Sequence, residues 1–346
     1  MSRLPRNEIW PSVSALLVAF HQDTWRKLEL APSDSRPLCE LADGSLCEVG
    51  EDGWLEAPDS RYDSMLALEH TPTSRVRGMT NAQASTSNDR FERGLELLRQ
   101  VGGQERPAVL DSLADIAPDL GRLTVEFGYG DILSRPGLTL RQRQLATVSA
   151  LAAMGNAAPQ LRFHIDGALN VGCTREEIVE TLIHVSVYAG FPAALNGLSA
   201  AREVFDARTD LPAPAEPAPA PTGDRFERGS AKLAEIDGHA GEQVIASLRD
   251  IAPDLGRYII EYSFGDIYSR PGLDLKTREM VTVAMCTALG TVAPQLGVHI
   301  HGLLNVGGTQ SEVVEIITQM AGYAGFPAAL NGITVARAVF AERSGN

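Results

Sequence analysis

Two stretches of this chain are copies of one another. Residues 161–197 read LRFHIDGALNVGCTREEIVETLIHVSVYAGFPAALNG, and residues 296–332 read LGVHIHGLLNVGGTQSEVVEIITQMAGYAGFPAALNG, at a constant offset of 135 positions. The match runs without a gap from 89–94 (again 224–229) to 204–205 (again 339–340), with roughly half of the paired residues identical. A unit of that length exceeds the ~20–50-residue period of a solenoid. It is a whole domain, present twice.

Within each copy the apolar spacing is helical. Phe91, Leu95, Leu98 and Val101 recur every three to four residues. Pro107 to Ile116 is expected to form a second helix stopped by Pro118, and Leu120 to Ile132 a third, ended by Ser134-Arg-Pro-Gly137. Thr139 with Gln142, Thr174 with Glu177 and Thr309 with Glu312 have capping-box spacing. Gly155 and Gly172 close the helices before them, and Pro192 suits the first turn of the last one. No strand alternation with hairpin turns appears in either copy, so the expected fold class is all-α in two tandem repeats.

The expected domains are 89–205 and 224–346, joined by a Pro/Ala-rich linker at 206–223. Alternating Pro and Ala favours an extended spacer at about 3.1 Å per residue. Residues 1–88 carry all three tryptophans, Trp10, Trp25 and Trp54, and poor periodicity. They read as a poorly ordered extension upstream of a natural start at Met79, or as an accessory segment packed on the core.

The net charge of −14 argues against nucleic acid or an anionic membrane as partner, since both need a basic footprint. No apolar run approaches the ~20 residues that span a bilayer. Cys39, Cys47, Cys173 and Cys286 form no Cys-x-x-Cys pair and suit a reducing cytoplasm. Neither a His-Glu-x-x-His metal motif nor a glycine-rich phosphate loop occurs, so no metal or other cofactor is expected.

Candidate chemistry is filtered by asking which polar residues stand in both copies. His164 and His299 lie between apolar neighbours on a helix and are candidate proton donors or acceptors; a core histidine satisfied by a backbone carbonyl is the competing reading. Glu126 and Glu261 sit among aromatics, where an apolar cleft raises a carboxyl's pKa for general acid work; a solvated or ion-paired glutamate competes. Arg143 and Arg278 could bind a substrate carboxylate in bidentate fashion or pair with a nearby acid. His184 joins the substrate-binding candidates because its counterpart, Gln319, keeps hydrogen bonding but loses protonation. Asp166 becomes His301 and Arg162 becomes Gly297, so the copies are not equivalent.

Four motifs carry a resemblance: Arg135-Pro-Gly-Leu-x-Leu-Arg-x-Arg143, His164-Ile-x-Gly-Ala-Leu-Asn-Val-Gly172, Thr174-Arg-Glu-Glu177 and Tyr188-Ala-Gly-Phe-Pro-Ala-Ala-Leu-Asn196. Both repeats, and nothing of 1–88, resemble the carboxymuconolactone decarboxylase family. The resemblance implies an alkylhydroperoxidase D-like helical fold that self-associates, here as a homotrimer of six domains. It implies cofactor-independent decarboxylation of a small carboxylated lactone, with the arginines on carboxylate, the histidines donating a proton and the glutamates setting their state. The branch with a Cys-x-x-Cys ahead of the histidine would place its thiols at Ala157 and Gln160, or Val292 and Gln295; dithiol peroxidase chemistry is therefore disfavoured. The alternatives are a tailoring enzyme of natural-product or aromatic metabolism on the same scaffold, and a non-catalytic oligomeric binding protein. A symmetric pocket holding His164 with Glu126 would favour an enzyme, and the two scattered to opposite surfaces would favour a scaffold.

Overall fold

The helices begin and end where the capping residues stand. The computed structural model describes residues 38–40, 46–49, 55–56, 87–105, 107–213, 216, 222–238 and 240–345. The chain divides into two units, Met1–Ala82 and Gln83–Asn346. In the first, strands β1 (Leu38–Glu40), β2 (Leu46–Val49) and β3 (Leu55–Glu56) form an antiparallel sheet in that order, with Cys39 opposite Cys47. The rest of the proposed extension up to residue 86, Met79 included, lies outside the described residues.

The second unit holds both repeats. Repeat 1 comprises α1 (Ser87–Gly102), α2 (Ala108–Ser112), α3 (Pro118–Leu123), a π-helix π1 (Thr124–Leu133), α4 (Leu140–Met154), α5 (Ala158–Asn170), α6 (Arg175–Tyr188) and α7 (Gly190–Ala207). Repeat 2 follows the same order: α8 (Arg225–Asp237), α9 (Ala240–Ser247), α10 (Pro253–Tyr258), π2 (Ile259–Tyr268), α11 (Leu275–Leu289), α12 (Ala293–Asn305), α13 (Gln310–Met320) and α14 (Phe326–Arg343). All three capping boxes form. Thr174 Oγ1 accepts from Glu177 N at 3.1 Å while Glu177 Oε2 accepts from Thr174 N at 2.7 Å. Gly155 (φ 73°) and its counterpart Gly290 (φ 68°) end α4 and α11 in the left-handed conformation that favours glycine.

Two expectations change in detail. The segment from Pro107 to Ile116 is helical only over Ala108–Ser112, and the third helix widens into π1 after Leu123. A ten-residue aromatic stretch carries too few turns for its period to separate α from π geometry. What the sequence does carry is the glycine contact beneath it. A Cβ on Gly94 of α1 would lie 2.1 Å from the Val125 carbonyl oxygen, and one on Gly130 would lie 2.3 Å from that of Arg90. Gly229 and Gly265 make the same contact in repeat 2, at 2.2 and 2.5 Å. Two helices meet there backbone to backbone.

The repeats are not separate bodies. Helices α4 and α11 lie side by side at the centre, and the two main apolar clusters are shared. Leu273, Val281 and Met285 of repeat 2 join the cluster around Leu151, Ile165 and Leu182, while Leu138, Ala146 and Ala150 of repeat 1 join that around Ile300 and Ile316. Each central helix is therefore apolar on most faces. Among the described residues no helix is long and apolar enough to cross a membrane.

Candidate active site

The polar residues buried at the α4–α11 contact come from both repeats. Arg143 is fully buried; its Nη2 donates to Glu315 Oε2 at 2.9 Å and to the Arg135 carbonyl at 2.7 Å, and its Nη1 donates to Gln319 Oε1 at 3.1 Å. Arg278, also fully buried, donates from Nη2 to Glu180 Oε2 at 2.9 Å and to the Arg270 carbonyl at 3.0 Å. Arg135 and Arg270 complete the same clamps, at 2.7 Å on Glu315 and on Glu180. Of the two roles open to Arg143 and Arg278, the structure places both in ion pairs with an acid of the other repeat.

The histidines lie on helix hairpins. His164 sits nine residues after Gly155 and Gln144 eleven before it, so the antiparallel pair α4–α5 brings them together: His164 Nδ1 and Gln144 Oε1 are 2.9 Å apart. The α11–α12 hairpin does the same for His299 and Glu279, whose Nδ1 and Oε2 are 2.8 Å apart. A tyrosine of the opposite repeat stands edge-on to each imidazole, Tyr323 at 5.2 Å from His164 and Tyr188 at 4.9 Å from His299. Each histidine site is thus completed across the repeat boundary.

The pairing expected between the glutamates of the π-helices and the histidines is corrected. Glu126 is buried but accepts from Arg122 Nη1 at 2.9 Å on both oxygens and lies 3.8 Å from Arg90. Glu261 pairs with Arg225 and Arg257, each at 3.8 Å. The partner of the imidazole is the residue twenty positions before it, Gln144 or Glu279. Requiring identity between the copies hid Glu279 from sequence reasoning. Its signals were a lone acid heading the apolar run Met280 to Ala284, and equal spacing about Gly290.

Around His299 the hydrogen bonds have a fixed direction. Glu279 Oε2 faces the imidazole, and Oε1 accepts from the Tyr268 hydroxyl at 2.7 Å. Tyr268 has then used its one proton, so Tyr188 must be the donor in their 2.7 Å contact. Thr282 donates to the Arg278 carbonyl at 2.8 Å, so it accepts from His184 Nε2 at 2.9 Å. His184 is fully buried, its ring 4.7 Å from that of Tyr268. Burial first, and then the Arg278 charge, push His184 well below its ordinary value, so it is a neutral donor. Burial, aided by the Glu279 charge, pushes Tyr188 and Tyr268 well above theirs, so both stay phenols. His299 makes no hydrogen bond through Nε2, and 11% of its side chain remains exposed.

Open cavities of about 600 and 720 Å³ lie elsewhere, the larger beside Arg175, Phe205 and Arg270; neither is lined by His164 or His299. The site is defined by its donor arrangement. Among the described residues no cluster of three or more His, Cys, Asp and Glu side chains could hold a metal ion.

Comparison with known proteins bears on the same segments. A family model described as the carboxymuconolactone decarboxylase family matches residues 118–203 and 253–338. A 4-carboxymuconolactone decarboxylase of Acinetobacter baylyi is 36% identical over 117 residues, which cover 34% of this chain and 87% of that protein. An uncharacterized 15.0 kDa protein of Paracoccus denitrificans is 34% identical over 37% of this chain and 96% of its own length. A nitrosuccinic acid decarboxylase of Metarhizium robertsii is 29% identical over 35% of this chain and 84% of its own length.

Proposed function

The chain belongs to the carboxymuconolactone decarboxylase family, and on that premise we propose that it decarboxylates a small carboxylated lactone by general acid/base catalysis. The observation that carries the reading is the buried imidazole–carboxylate pair His299–Glu279. Glu279 fixes the proton on Nδ1 and compensates an imidazolium, which lets Nε2 gain and give a proton. In 4-carboxymuconolactone the bond to the departing carboxylate breaks and carbon dioxide leaves. The electron pair passes through the conjugated C=C to the lactone carbonyl oxygen, and as it returns carbon takes a proton from His299 Nε2. Solvent restores that proton. The electrophilic part of the task is small, which suits a site built from side chains alone. Two decarboxylases among the relatives support the reaction type.

The test is carbon dioxide release from 4-carboxymuconolactone by the full-length chain and by His299→Ala. The reading expects release by the parent and a loss of about 10²–10⁴-fold in the variant, the usual worth of a positioned general acid. Equal rates would refute the role of His299.

Self-association into a homotrimer of six domains is part of the proposal. It is supported by large apolar side chains exposed at equivalent positions of both repeats: Ile116 and Ile251, Leu120 and Leu255, Phe191 and Phe326, Leu195 and Leu330. Light scattering of the full chain at the mass of one protomer would oppose it. A cytoplasmic setting is proposed with it, supported by the unpaired thiols of Cys173 and Cys286.

A further inference from the structure

We infer that the chain holds one proton-transfer centre, at His299, and that the equivalent position at His164 is a structural copy that has lost the reaction. The inference rests on the acid/base reading above and concerns which of the two equivalent positions performs it. The two are built on the same scaffold and keep the same arginine, threonine and cross-repeat tyrosine: Arg278, Thr282 and Tyr188 at one, Arg143, Thr147 and Tyr323 at the other. Three replacements separate them. Gln144 stands for Glu279, Leu133 for Tyr268, and Gln319 for His184.

Each replacement removes a proton-handling group. Gln144 meets His164 Nδ1 at 2.9 Å but carries no charge, so an imidazolium there would be buried and uncompensated in either orientation of the amide. Burial pushes His164 down to about 3, with no acid opposing it. Leu133 ends the phenol chain that reaches Glu279 at the other centre. Gln319 closes its surroundings statically: Oε1 accepts from Arg143 Nη1 at 3.1 Å, and Nε2 donates to Thr147 Oγ1 and to the Arg143 carbonyl, both at 2.8 Å.

The His299 centre keeps the opposite character. Tyr188 donates to Tyr268, Tyr268 to one Glu279 oxygen, and His299 to the other, a continuous run across both repeats. Where Gln319 accepts from Arg143 Nη1, His184 leaves Arg278 Nη1 and its own Nδ1 without partners; both arginine Nε atoms and Gln144 Nε2 are unpartnered as well, so the difference lies at Nη1. Tyr268 and Tyr188 are positioning residues that hold the Glu279 carboxylate, and the first repeat serves the second by supplying Tyr188 and His184.

The test uses the full-length chain and two changes, the isosteric Glu279→Gln and the apolar Gln144→Leu. Proton NMR should show a strongly downfield imidazole Nδ1–H from the His299–Glu279 bond, which Glu279→Gln removes and Gln144→Leu leaves in place. On the lactone, Glu279→Gln should cost at least about 10²-fold in kcat, and Gln144→Leu should stay within twofold of the parent. Tyr268→Phe should lower kcat with KM unchanged, a split that loss of packing alone would not give. Equal losses from Glu279→Gln and Gln144→Leu, or a downfield proton that survives Glu279→Gln, would overturn the inference. If the parent releases no carbon dioxide, the proposed substrate falls and the proton signal still decides between one centre and two.

Discussion

Removing the acid from either inter-repeat clamp should destabilise the fold strongly and by similar amounts. Glu315 is 8% exposed and serves two guanidinium groups. In Glu315→Ala, Arg135 is 44% exposed and returns to water, so its share is at most about 1 kcal/mol. Arg143 cannot follow it. Stranding a fully buried cation costs about 3–5 kcal/mol; its bonds to Gln319 and to the Arg135 and Pro136 carbonyls are the same with and without Glu315 and leave that difference unchanged. In Glu180→Ala, Arg278 keeps the carbonyls of Arg270 and Pro271, and its Nη1 is unpartnered in the parent already. That unmade bond is the same in parent and variant and cancels, so the same cost of about 3–5 kcal/mol is expected for Glu180→Ala. Far-UV circular dichroism in urea is the suitable assay, since all three tryptophans lie in residues 1–88 and fluorescence would not report on the repeats. A loss of about 1 kcal/mol or less in either variant, the worth of an exposed pair, would refute the reasoning. The pH dependence has a definite sign. Burial works to raise the Glu315 carboxyl, and hydrogen bonds from Arg135 and Arg143 outweigh it, leaving the group below the ordinary carboxylate range. Its stabilisation is complete above the unfolded value of about 4.3 and is lost as pH falls through the lower folded value. The gap between parent and Glu315→Ala should therefore close in acid.

Gly94→Ala should lower the melting temperature sharply, because the new methyl lies 2.1 Å from a backbone oxygen that cannot rotate away; about 3 kcal/mol, the upper end for overpacking, is expected, and melting at the parent temperature would show that the helices part at no cost. Gly229→Ala should behave alike. Burial pushes the thiols of Cys173 and Cys286 up to about 12, so a thiol reagent at pH 8 should gain two reactive groups on unfolding. Full labelling of both in the native chain would contradict their burial.

The local grammar of the fold was legible because its signals are local. Thr139, Thr174 and Thr309 start helices, Gly155 ends one, and the constant offset announced the duplication. The linker composition allowed the repeats to dock but not how. That Glu315 lies on Arg143, and Tyr188 on His299, depends on contacts more than a hundred residues apart, which no periodicity encodes. Glu126 shows the opposite failure. Its partner Arg122 was one helical turn away in the sequence, yet the surrounding aromatics suggested a cleft. Searching for identity between the copies found the scaffold of the site, because scaffold is what both must keep. The residues that separate the two centres, Glu279, Tyr268 and His184, are visible only as differences.

The central claim is that a carboxylate-backed imidazole at one composite site performs the proton transfer. The most direct measurement is the rate of carbon dioxide release from 4-carboxymuconolactone by Glu279→Gln beside the parent chain, with matched circular dichroism. Glu279→Gln changes one oxygen to an amide nitrogen and keeps the shape of the site. The account predicts a folded variant at least about 10²-fold slower than the parent. A folded variant turning over at the parent rate would contradict it.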